Sequence, residues 1–172
     1  ANRLAQDRLA DLTARWGDAT VFAAFDEVLA YTQRRTREVV QALPDGEYMA
    51  SSQIEGDGVT DEDIPIQVAV RVAGDRIVVD FGGTAGAVGG NVNCPLSVTR
   101  SACFFALRVL LPDDIPANSG TYAPLEIIAP EGSLVNARRP SAVVAGNVET
   151  SQRLADTVLD AFAQMTDVPA AG

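Results

Sequence analysis

The 172-residue chain contains no histidine and no lysine, and all thirteen of its positive charges are arginines. Without imidazole there is no Ser-His or Cys-His nucleophile pair and no histidine set for zinc. Without an ammonium there is no Schiff base and no P-loop lysine. Chemistry in this chain is left to carboxylates, hydroxyls, amides, guanidinium groups, backbone donors and two cysteines. Those cysteines, Cys94 and Cys103, have the spacing of neither a CxxC redox pair nor a zinc knuckle, so we expect reduced, ordinary thiols in a cytoplasmic setting. No apolar run approaches the roughly 20 residues of a membrane span. An initiator methionine is also missing: the chain opens at Ala1 inside the charged, periodic stretch ANRLAQDRLADL, where no secretory signal is expected.

What is present is a core-forming composition. Hydrophobic residues make up 47% and charged residues 21%, enough apolar surface for one packed domain with an appended arm. A net charge of −10 argues against nucleic acid and anionic membrane as partners, since both reward a basic face.

The periodicity predicts a helical arm over 1–44 and an α+β core over 45–172. Leu4, Leu9, Leu12 and Trp16 recur at near-helical spacing up to Gly17. A second helix, capped by Asp18 or Thr20, carries Phe22, Phe25, Val28, Leu29 and Val39 and stops before Pro44-Asp45-Gly46; the arginines at 34, 35 and 37 read as its solvated face. Tyr48, Ala50 and Ser52 alternate as a short strand. Ile64, Ile66, Val68, Val70 and Val72 alternate cleanly, and Gly74-Asp75 reverses the chain into Arg76–Phe81, an antiparallel hairpin. Pro95 opens a helix over about 95–111 that is apolar on most sides and expected to be buried, with Arg100 and Arg108 as its only charges. A strand is expected at Leu125–Ile128 and another near Ala142–Val144. A final helix follows, capped by Asn147 and carrying Leu154, Val158, Leu159 and Phe162, and residues 168–172 are expected to fray. The fold class is α+β: the arm, a small antiparallel or mixed sheet, and two later helices packed on it.

Three stretches invite a functional reading. Asp80 closes a strand and leads into the glycine-rich Gly82–Gly90, where backbone amides could hold an anion beside a helix N-terminus. GxGxxG and GK[ST] are both lacking, and a tight structural crossing is the better reading. Asp57, Asp61, Glu62 and Asp63 suggest calcium, but their register fails the EF-hand pattern, and a solvated hairpin loop fits them better. Gly146–Arg153 packs polar groups between strand and helix; Asn147, Glu149 and Thr150 either line a cleft or serve the helix start. Arg100, on an apolar helix, calls for a partner, with Asp80 and Glu149 both available.

The segments Asp80-Phe81-Gly82-Gly83-Thr84 and Asn93–Arg100 resemble the hydantoinase B family. So do Asp114–Gly120, Ile127–Leu134 and Ala142–Gln152, in the same order, over about the last 95 residues. The resemblance implies an internal fragment of an N-methylhydantoinase B or 5-oxoprolinase-type subunit, a family related to ketone carboxylase subunits. It implies that such a subunit opens hydantoin or oxoproline rings together with an ATP-using, hydantoinase A-type partner. ATP-Mg is then expected on that partner, and a divalent metal on the remainder of the parent subunit. No metal ligand is expected here, and the isolated stretch should be inactive. Partners would be the rest of its own subunit, the ATP-using partner and a small cyclic amide. Within the chain we expect Asp80, Arg100 and Glu149 as catalytic groups, and Asn93, Asn147 and Thr150 as substrate-binding ones. The alternative is a non-catalytic scaffold or assembly module of such a complex.

Overall fold

Gly17, at φ 79°, separates the first two helices, α1 (Asn2–Trp16) and α2 (Asp18–Gln41). That backbone conformation costs glycine little and would strain any residue with a Cβ. The computed structural model describes residues 2–166. The expected fraying of residues 168–172 lies outside the described residues. α2 buries Thr32, Thr36 and Val40 on one stripe of its second half, and that half seats on the body of the protein. Asn118 donates to the Thr32 hydroxyl at 3.0 Å, and Arg35 and Arg37 pair with Asp114 and Asp75.

Four strands form one mixed sheet in the order β1 (Gly46–Glu55), β2 (Asp63–Ala73), β3 (Arg76–Asp80), β4 (Leu125–Ile128). The first two pairings are antiparallel and the last is parallel, with Ile77 opposite Leu125. A parallel pair needs a long crossover. Residues 81–124 supply it, and helix α3 (Leu96–Leu110) lies within them. Alternation in β2 works as the sequence requires: Ile64, Ile66, Val68, Val70 and Val72 are all buried on one face, while Gln67 and Arg71 lie on the other. Each such fully buried aliphatic side chain contributes about 1.5–3 kcal/mol relative to exposure. Helix α4 (Glu149–Phe162) packs on this face over β1 and β2 and against α3, burying Leu154, Val158 and Phe162.

Four expectations are corrected. β1 is a full ten-residue strand rather than a short one; Ser51 and Gln53 hide its length from the hydrophobic pattern because they face the open side of the sheet. Ala142–Val144 forms no strand. Ala145 and Gly146 donate instead to the Asn91 carbonyl, and a single 3-10 turn, Ala145–Asn147, follows. Asn147 does not cap α4; Val148 holds that position, and the Asn147 carbonyl accepts from Ser151 Oγ at 2.9 Å. α3 is buried on one side only, with Thr99, Ala102, Cys103, Ala106 and Leu107 inside and Phe105 57% exposed. Among the described residues no helix is long and apolar enough to cross a membrane.

Candidate active site at the start of α4

The glycine-rich crossing and the α4 start are zipped together by backbone and side-chain bonds. Asn93 is wholly buried; its Nδ2 donates to the carbonyls of Val88, Gly90 and Ala142, and its Oδ1 accepts from the Val88 amide. Thr150 is also buried and donates to the Val92 carbonyl at 2.5 Å. Cys94 Sγ donates to the Gly146 carbonyl at 3.0 Å. These bonds hold the first turn of α4 beside the residues that lead into α3. Asn93 and Thr150, expected to bind substrate, therefore present their polar atoms to the backbone and not to a cavity. Burial pushes both thiols, Cys94 and Cys103, up to about 12, so neither is a thiolate at neutral pH.

The glycine loop is a crossing. Its amides at Gly82, Thr84, Ala85, Ala87, Val88 and Gly90 already donate to Asp80, Phe81, Pro65, Gly132, Asn93 and Asp57. No run of free donors is left to cradle a phosphate, so ATP does not fit this loop. In the acidic stretch Asp57 departs from the expected solvated loop: it is buried, and its carboxylate accepts from the amides of Thr60, Val59 and Gly90. Those backbone donors hold the carboxyl below its ordinary value of 3.8. The folded state thus binds this proton less readily than the unfolded chain does. The associated stability is present above 3.8 and lost as pH falls through the lower folded value. Asp57→Asn should therefore flatten the decline in stability between neutral and strongly acidic pH, read by urea unfolding across that range. An unchanged pH slope would mean that Asp57 contributes nothing to it.

Two adjoining hollows flank α4. A polar cleft of about 490 Å³ is lined by Ile54 and Glu55 from the end of β1 and by Glu149, Gln152, Arg153 and Asp156 from α4. An apolar groove of about 450 Å³ runs between α3 and α4, lined by Val98, Ala102, Phe105, Asn147 and Ala155 among others. Gln152 and Asp156 border both, so the two adjoin along α4, and together they make up a trough in two parts, a charged end and an apolar end. Three carboxylates and one guanidinium gather at the charged end. The arrangement suits a small, flat polar group held by amide and carboxylate hydrogen bonds, with its hydrocarbon part against α3. Those three carboxylates line the cleft without converging on one point: among the described residues no three His, Cys, Asp or Glu side chains are grouped closely enough to hold a metal ion.

Of the residues singled out in the sequence, Glu149 and Asn147 reach this trough, from its two ends. Asp80 lies on the opposite face of the sheet, where Arg71 bonds it at 2.9 Å and also bonds Glu47 at 3.3 Å. That partnership raises the Arg71 pKa, Asp80 first and Glu47 second, and a small hollow of about 100 Å³ beside Gly82 and Gly83 lies next to it. Arg100 is exposed on α3 and takes neither expected partner: Asp80 is bound to Arg71, and Arg100 needs none because solvent satisfies it. Sequence reasoning did not single out Glu55, Gln152, Arg153 and Asp156 as site residues, although Gln152 and Arg153 fall within the polar run 146–153. The spacing 149, 152, 153, 156 is a helix-face signal that could have found the last three. Nothing local announces that the end of β1 meets them.

The sheet, its single crossover and the two-helix cover define an α+β class that recurs inside larger enzymes. Superposition on the ATP-dependent caprolactamase of Pseudomonas jessenii gives a TM-score of 0.87 at 24% identity, covering 95% of this chain and 28% of that one. Superposition on acetone carboxylase in its nucleotide-free structure gives 0.76 at 13% identity, over 91% and 22%. The family model described as Hydantoinase B/oxoprolinase matches residues 1–172, and the chain belongs to that family. It is 32% identical to 5-oxoprolinase of Saccharomyces cerevisiae over 97% of its length, and 34% identical over 96% to the B-type subunit of a D-/L-hydantoinase from Pseudomonas sp. (strain NS671). The chain spans 13% of the first relative and 30% of the second.

Proposed function

We propose that this chain forms part of an ATP-dependent cyclic-amide hydrolase subunit of the N-methylhydantoinase or 5-oxoprolinase type, and that the trough at the start of α4 receives the ring. The observation that carries the reading is that a polar cleft and an apolar groove meet at Gln152 and Asp156, in a chain matched from end to end by the family model. In the reaction, the ATP-using partner transfers a phosphoryl group to the amide oxygen and releases ADP. Water adds to the activated carbon, the ring C–N bond breaks to leave an acyl phosphate and a free amine, and a second water releases inorganic phosphate and the carboxylate. Glu149 takes the proton from the attacking water and returns it to the leaving nitrogen, while Asn147 and Gln152 position the ring. Arg153 offers a charge-assisted donor to the phosphorylated oxygen.

The test uses the complete subunit together with its ATP-using partner. Glu149→Gln should lower kcat for ring opening by about 100-fold or more while KM moves little. The fold should survive, since Glu149 is exposed. A folded variant that turns over at the parent rate would remove the trough from the chemistry. That result would favour the second reading, a scaffold or assembly module of such a complex, which the uncovered face of the arm supports.

A further inference from the structure

Helix α1 buries none of its fifteen residues, and a helix of that length is marginal alone in water. Its apolar residues are nonetheless sorted: Ala5, Leu9, Leu12 and Trp16 share one stripe at 3.6-residue spacing, with Arg8 and Arg15 along one border. The first half of α2 continues the stripe that its second half uses to seat on the body. Here the stripe ends in the open, with Phe22 55% and Phe25 45% exposed and Asp18 and Asp26 at or beside it. None of these four charges has an ion-pair partner within the described residues.

We propose that two copies of this chain pair through their arms, α1 of one lying antiparallel on the free half of α2 of the other. The two elements match in length, fifteen residues of α1 against the stretch from Asp18 to Tyr31. Arg8 and Arg15 stand about two turns apart, as do Asp18 and Asp26, so the antiparallel arrangement sets Arg15 against Asp18 and Arg8 against Asp26. Closure of α1 on its own α2 is blocked by the connection. Gly17 alone joins them, whereas antiparallel helix pairs need a loop of about 2–5 residues. A second copy has no such constraint. Because α1 and α2 are complementary within one sequence, a two-fold axis satisfies both contacts at once.

Sedimentation equilibrium of the 172-residue chain, from about 1 to about 100 µM, should resolve a monomer–dimer equilibrium. The lone tryptophan, Trp16, should shift its emission to the blue across the same range. Phe25→Asp should weaken the dimer by at least about 30-fold, since an aromatic anchor at an interface centre carries much of its affinity. Its circular dichroism and melting should stay as in the parent, because Phe25 is half-exposed in the monomer. Arg8→Glu should weaken pairing by about threefold, and adding Asp26→Arg should restore it. A chain that stays monomeric at the highest concentration overturns the proposal, and so does a monomer with an already blue-shifted Trp16. A dimer indifferent to Phe25→Asp overturns it too. None of these outcomes depends on whether the trough at α4 is catalytic.

Discussion

Asn93→Ala should lower the stability of the folded chain by about 4 kcal/mol or more, a loss at the exceptional end for one substitution. The side chain is wholly buried and all of its bonding capacity is spent on backbone that has no other partner nearby. Its two amide hydrogens are shared among the carbonyls of Val88, Gly90 and Ala142 at 2.9–3.0 Å, and its oxygen takes the Val88 amide at 2.8 Å. Alanine leaves one donor and three acceptors without this partner, the Gly90 carbonyl buried and the others part-buried, and each group left dry costs about 1–3 kcal/mol. The Gly90 carbonyl and the Ala142 carbonyl then lose the post that holds the crossing to the α4 start. Urea unfolding measures the effect, and Asn93→Asp should be comparably harmful, since a carboxylate would face three carbonyl oxygens. A residue that merely touched substrate would behave otherwise: its removal would move stability by no more than about 0.5 kcal/mol. Such a result would return Asn93 to a substrate-binding role.

Much of the architecture is written in local periodicity. Ile64 to Val72 alternate, a Gly-Asp turn follows, and the observed hairpin has the register that this alternation demands. Leu154, Val158 and Phe162 likewise place the buried stripe of α4. What local pattern cannot carry is pairing across distance. Ala142-Val143-Val144 has the composition of a strand, yet its neighbours bond the loop at Asn91 and Asn93, so no ladder forms. Cys94 and Gly146 are partners across 52 residues, and neither neighbourhood suggests the other. The same limit applies to the candidate site. Polar residues between a glycine and a helix marked Asn147 and Glu149, but the same reasoning also gathered Thr150, and the family-like segment 93–100 supplied Asn93; the polar atoms of both turn inward. Asp80 and Arg100 fell near one another in sequence motifs and lie apart in space, because β3 turns Asp80 to the open face of the sheet while α3 turns Arg100 to solvent.

Gly146→Ala should be nearly as damaging as loss of Asn93, by about 3–5 kcal/mol, for a reason unrelated to glycine's flexibility. Its φ is unremarkable, but a Cβ there would collide with the Asn93 carbonyl oxygen and lie 2.7 Å from the carbonyl carbon and 3.0 Å from the Val92 oxygen. Those are backbone atoms, tied down by the bonds from Ala145, Gly146 and Thr150 to the 91–92 carbonyls, so no side chain can swing aside. Gly90 is in the same position against the Asp57 backbone, and Gly90→Ala should lose a similar amount. Gly89→Ala is the control. It sits in the same loop, is exposed, and its nearest contact would be Asp57 Oδ2 at 4.0 Å, so stability should hold within about 0.5 kcal/mol. If all three alanines cost alike, the loop would be limited by backbone freedom rather than by close approach. If only Gly146 and Gly90 are costly, close backbone approach is what limits the crossing, Gly146 against Asn93 at the start of α4 and Gly90 against Asp57.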